Sequence, residues 1–186
     1  MTKSNTTTSF ATVDLCYIAL FTALIAALAQ ISIPLPGGVP LTLQTFAIPL
    51  AGLVLGAKRG TMSTVIYVLL GAVGVPVFAG FKGGLGVVFG MTGGFIISFP
   101  LMALMAGFAV NKSAKSIMLW VWLVLGALAN YAVGTVWFMI AAHTGLREAL
   151  ISCVVPFIPT AILKIILVGL AGPMLRGILQ KANLIK

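Results

Sequence analysis

The sequence predicts an all-α, polytopic membrane protein: a bundle of six transmembrane helices in a single membrane domain over residues 1–186, with both termini in the cytoplasm. Three observations carry that expectation. The first is composition. Of 186 residues, 61% are hydrophobic and 7% are charged, against roughly 25% charged in an ordinary soluble domain. So few polar groups cannot cover a water-facing surface. The second is spacing. Apolar stretches of near-spanning length alternate with basic, proline-rich or glycine-rich breaks. At about 20 residues per span, six helices fit the chain and leave no room for a separate soluble domain. The third is the distribution of the cations, considered below.

Taken in order, the first span is expected over about residues 10–30. It follows a polar start and is long enough to stay as a helix, so no cleavable leader is expected. It ends where Gln30-Ile-Ser-Ile-Pro-Leu-Pro-Gly-Gly-Val-Pro40 cannot continue a helix. The second span, about 41–57, is short and stops at Lys58-Arg59. The third covers about 61–78 and runs into a glycine-rich connection, Ala79-Gly-Phe-Lys-Gly-Gly-Leu-Gly86. The fourth, about 87–110, carries an internal Gly93-Gly94. The fifth is about 117–142. The sixth, about 150–179, is interrupted near its start by Pro156 and Pro159.

With the N-terminus inside, Lys3, Lys58, Arg59, Lys112, Lys115, Arg176, Lys181 and Lys186 fall on the cytoplasmic side, and only Lys82 and Arg147 fall outside. This eight-to-two split is the positive-inside pattern of a bacterial-type plasma (inner) membrane protein. Two cations stand apart from the rule. Lys82 lies in the outer glycine loop, and Lys164 is embedded in the apolar last span.

Several chemistries are excluded. The two acids, Asp14 and Glu148, are far apart in sequence, so paired-carboxylate catalysis has no basis. His143 is the sole histidine, and Cys16 and Cys153 lack C-x-x-C spacing. No metal site is therefore expected, and the cysteines read as small core residues. Despite a net charge of +9, no basic run exceeds two residues, which argues against nucleic-acid binding. No nucleotide phosphate loop is present, so energy for any transport must come from another protein. An enzyme is not expected.

The candidate ligand residues follow from cost. A lysine in mid-span costs about 2.5–3.5 kcal/mol, so Lys164 either faces a partner or a wet cavity, or snorkels to the interface. Pro159 favours a helix start and Thr160 can cap it, which would aim both the ammonium and the positive helix end at one carboxylate site. Lys82 sits among Gly80, Gly83, Gly84 and Gly86. Those glycines either bring backbone amides close to a ligand or form an ordinary connector. Gly93 and Gly94 either pack a neighbouring helix or open the backbone toward a cavity. The tryptophans and tyrosines read as interfacial anchors or pocket walls. Ala19, Ala23 and Ala27 form a stripe of small residues that lets another helix approach, either internally or from another subunit.

Four motifs carry a resemblance: Pro40-Leu-Thr-Leu-Gln-Thr-Phe46, the run ending Leu-Val-Leu-Gly56, Gly74-Val-Pro-Val-Phe-Ala-Gly80 and Gly90-Met-Thr-Gly-Gly-Phe95. In this order, over about residues 12–178, the chain resembles the BioY family, biotin-binding S components of energy-coupling factor (ECF) transporters. The resemblance implies a six-helix vitamin-capturing subunit, energised by a separate T component and two ATPase subunits. It also implies that Ala19, Ala23 and Ala27 face the T component. It places the ligand site at Lys82 to Gly86 and Thr160 to Lys164, with Gln44, Gly93, Gly94 and Phe95 nearby.

The chain departs from the family pattern where Thr160-Ala161 replaces Gly-Asp and where Phe95 replaces tyrosine. Lys164 suits a carboxylate. The missing acid and hydroxyl weaken the case for a ureido head, and Thr160, Gln44 and Asn130 are the residues that can replace them. Biotin is the first reading, a more apolar carboxylated cofactor such as lipoate the second. A structural membrane scaffold is the alternative of a different class.

Overall fold

The computed structural model describes residues 12–110, 112–182 and 184–185. Lys3, Lys186 and the first residues of the expected 10–30 span lie outside them. The chain runs α1 (Thr12–Ala29), β1 (Ser32–Ile33), β2 (Leu41–Thr42), α2 (Gln44–Leu55), α3 (Ala57–Ala72), α4 (Leu85–Val88), α5 (Gly93–Phe108), α6 (Ile117–Ala142), α7 (Leu146–Cys153) and α8 (Ile158–Lys181). The Pro/Gly segment after α1 folds back as an antiparallel pair, with Ser32 opposite Thr42 and Ile33 opposite Leu41.

α2 is the innermost helix. Ten of its twelve residues are buried, and it packs against α1, α3, α5 and α8. The fit depends on backbone contact. A side chain at Gly52 would reach to 2.1 Å of the Ala103 carbonyl of α5, and one at Gly60 of α3 would meet the Gly52 Cα at 2.5 Å. At the far end of α2, buried Arg176 of α8 donates from Nη1 to the Val54 carbonyl at 2.6 Å. That cation, which the sequence places on the cytoplasmic side, therefore sits against the negative end of the central helix.

Polarity is inverted relative to a soluble protein. Leu20, Ile140, Ile162 and Leu170 face outward, whereas Thr22, Gln44, Ser63, Asn130 and Lys164 are buried. The buried hydroxyls are used in packing. Thr22 of α1 donates to the Ile18 carbonyl at 2.8 Å and to the Ser63 carbonyl at 3.0 Å, tying α1 to α3.

Several boundaries differ from expectation. Lys58 and Arg59 lie in the first turn of α3 instead of a loop. There Arg59 pairs with Asp14 at 2.7 Å, which offsets the cost of a cation at a helix start. Residues 73–78, expected to be helical, form part of the glycine-rich loop. The 87–110 stretch is two helices, α4 and α5, separated at Phe89–Thr92. The last span is α7, a single 3-10 turn at 155–157, and α8. Among the described residues, three stretches are long and apolar enough to cross a membrane: α1, α6 and Leu146–Lys181. α2 and α5 are shorter because each begins below a cavity, and irregular backbone at membrane depth is tolerated where it lines one.

Candidate functional site

The starts of α2 and α5, the glycine-rich loop, α6 and the α7–α8 junction enclose a cavity of about 420 Å³. That volume is within the usual range for small-molecule sites. Its walls are largely apolar, with Val39, Phe78, Ile96, Phe99 and Phe157 among them. Phe95 also lines it, set edge-on to Tyr131 with ring centroids 6.5 Å apart and planes at 84°.

Lys164 lies in the wall at 9% exposure. Its ammonium donates to the Thr42 carbonyl at 2.5 Å and to Thr45 Oγ1 at 2.9 Å. Among the described residues no carboxylate pairs with it, and its third N–H remains for a ligand. The ammonium is thus turned inward. The positive helix end beside it is not the expected one. α8 begins at Ile158, and the Thr160 hydroxyl donates to the Phe157 carbonyl at 2.9 Å instead of capping amides. Lys164 therefore sits nearly two turns inside α8. It is α2 whose first turn, without a side-chain cap, meets the lysine at Thr45.

Thr42 begins a polar chain that ties this point to the glycine-rich loop. Its hydroxyl donates to Gln44 Oε1 at 2.9 Å, Gln44 Nε2 donates to the Tyr67 hydroxyl at 2.5 Å, and Tyr67 donates to the Val77 carbonyl at 3.2 Å. Gln30 closes the chain by donating to the same carbonyl at 3.2 Å and accepting from the Phe81 amide at 2.8 Å. Phe81 adopts a left-handed φ of 57°, held by that bond beside the Phe78–Lys82 bridge. The loop that brings Lys82 to the rim is thereby fixed from below.

Of the residues singled out in the sequence, Lys164, Lys82, Gly86, Gln44 and Phe95 line the cavity. Gly83, Gly84, Thr160, Gly93 and Gly94 do not. Gly83 is pressed against the Val75 carbonyl, and Gly84 takes the positive φ of 95° that starts α4. Gly93 and Gly94 pack against Trp137, where a Cβ at Gly94 would lie 2.2 Å from the tryptophan Cβ. Of the two readings, close helix packing describes them. Cys153 is buried and lines the cavity, but Cys16 is exposed on α1, contrary to the core reading, because it faces away from the bundle. Ala19, Ala23 and Ala27 are exposed as well.

Thr42, Thr45, Thr92 and Tyr131 line the cavity without having been singled out as ligand residues. The run Leu41-Thr-Leu-Gln-Thr45, with three polar residues at the head of an apolar stretch, is the one local signal that marks part of this set.

The chain is similar to known proteins over nearly its whole length. The model of the BioY family matches residues 1–181. A probable biotin transporter BioY of Pyrococcus horikoshii is 43% identical over 164 residues, covering 88% of this chain and 96% of that protein. The biotin transporter BioY of Thermotoga maritima is 40% identical over 161 residues, covering 84% and 92%. A crystal structure described as the S-component for biotin from an ECF-type ABC transporter superposes with a TM-score of 0.82 at 30% identity, covering 91% of this chain and 95% of that one. The fold around the cavity and the relatedness along the sequence agree, and this membrane protein belongs to the BioY family.

Proposed function

We propose that this chain is the substrate-capturing membrane subunit of a biotin importer and works with an energy-coupling module of a T component and two ATPase subunits. One observation carries the reading: a cavity of ligand size with a buried, carboxylate-free lysine at Lys164 and a second cation, Lys82, among its lining residues. A ligand with an anionic end and a polar end has a cation for each. A scaffold needs no such cavity, and an uncompensated buried lysine is costly unless something uses it. Relatives named as biotin transporters favour biotin over lipoate. The eight-to-two distribution of cations supports a plasma-membrane orientation with both termini inside.

Radiolabelled biotin should bind the detergent-purified chain saturably at one site, with lipoate a poor competitor. No binding at micromolar biotin would remove the reading. The exposed stripe Ala19, Ala23 and Ala27 on α1 is the surface assigned to the T component, since small side chains let two helix backbones come close. Ala23→Trp should abolish co-purification with the T component while biotin binding by the isolated chain stays within about twofold of the parent, the substitution lying outside the cavity. Co-purification that survives Ala23→Trp would return the stripe to lipid.

A further inference from the structure

We infer that Asn130 is a specificity-determining residue whose Oδ1 accepts an N–H from the ureido head of the ligand, in the cavity that Asn130 and Lys164 both line. The inference rests on the biotin reading above and concerns which end of the ligand is read where.

The orientation of the Asn130 amide follows from its partners. Its Nδ2 lies 3.0 Å from the Phe95 carbonyl and 2.8 Å from Ser98 Oγ. A backbone carbonyl only accepts, so the atom facing it must be the NH₂ group. Both amide hydrogens are then committed, and the oxygen is left with no partner among the described residues. Asn130 as a whole is 2% exposed. The partnerless side-chain oxygens fully sealed within the described residues are those of Thr61, Thr135 and Thr144. Asn130 Oδ1 is not one of them, so it opens on the cavity that the residue lines.

Lys164 lines the same cavity of about 420 Å³, where a ligand head fits; the cleft of about 10 Å³ that the two residues also bound, with Thr45, Tyr131, Ala161 and Ile165, holds no more than a water. An N–H donor from the ammonium and an acceptor from the amide therefore face one cavity. A carboxylate can only accept, and Asn130 Oδ1 would have nothing to receive from it. A urea group matches both, its carbonyl accepting from Lys164 and its N–H donating to Asn130. The acceptor comes from α6, and Ala161 of α8 offers none. The polarity read from the sequence, with the carboxylate on Lys164, is thereby reversed. The carboxylate runs toward Lys82.

The test pairs a change in the protein with a change in the ligand. Asn130→Leu is combined with Ser98→Ala, so that no buried polar partner is orphaned, and Asn130→Ala is the second variant should the first fail to fold. Binding of biotin and of biotin methylated at either ureido nitrogen is measured for each protein. The parent should prefer biotin over at least one methylated form by roughly 10- to 100-fold. The variants should bind biotin more weakly by a similar factor and lose most of that preference. Variants that fold and keep the parent's full preference overturn the role of Asn130 alone. A parent that binds biotin and both methylated forms equally overturns it as well. A parent that binds none of the three overturns the biotin reading itself.

Discussion

Lys164→Met should lower biotin affinity by roughly 10- to 150-fold, the equivalent of the 1.5–3 kcal/mol that a hydrogen bond to a charged group contributes. The protein should still fold. The ammonium is buried without a carboxylate among the described residues. Replacing a buried charge by an apolar chain of similar length is often neutral or stabilising, whereas leaving half of an ion pair behind is not. Its two acceptors lose a donor, but the Thr45 hydroxyl can turn to another partner. Equilibrium binding, with size-exclusion and thermal unfolding as the control for folding, separates the two effects. Lys164→Met binding biotin within threefold of the parent would take the site away from this lysine and leave the cavity without a floor contact.

Gly52→Val should destabilise the bundle more than any change at the cavity. A Cβ at Gly52 would stand 2.1 Å from the Ala103 carbonyl oxygen and 3.2 Å from its Cα, and backbone atoms cannot move aside as a flexible side chain can. Overpacking of this kind costs about 1–3 kcal/mol or more. At roughly 2–4 °C per kcal/mol for a chain of this size, the midpoint should fall by up to about 12 °C. Gly177 in α8 is the matched control, with nothing within 4 Å of its Cβ position. Gly177→Ala should leave the midpoint unchanged or raise it slightly, because alanine is the better helix former. Equal losses at the two sites would mean that glycine content, and not the α2–α5 contact, sets the stability.

Some of this is legible in the residues one by one. A chain with 61% hydrophobic residues and so few charges has lipid as its solvent. Within lipid, a lone lysine between apolar neighbours stands out because its cost is large, which is why Lys164 was visible. Lys82 stands out as a cation among glycines, and Gln44 lies inside a recognisable motif. Asn130 was weighed only as a replacement for the acid missing at Ala161. Tyr131 reads equally as an interfacial anchor or a pocket wall, since a polar residue on an apolar helix looks the same whether it faces a cavity or a neighbouring backbone. Gly93-Gly94 is the converse case. Glycines beside a ligand and glycines beside a tryptophan have identical sequences, and only the position of Trp137 separates them.

The sequence by itself determined the helical class, the lipid surroundings and the family. Each depends on composition, local periodicity or ordered motifs, which survive without any knowledge of what touches what. The tertiary structure alone decided which polar groups share one space. Thr42 and Lys164 are joined across 122 positions of chain, and Asn130 and Phe95 across 35. No helical or strand period encodes such distances. They arise because α2 and α5 begin at a hollow in the bundle, which collects the side chains of whichever elements surround it.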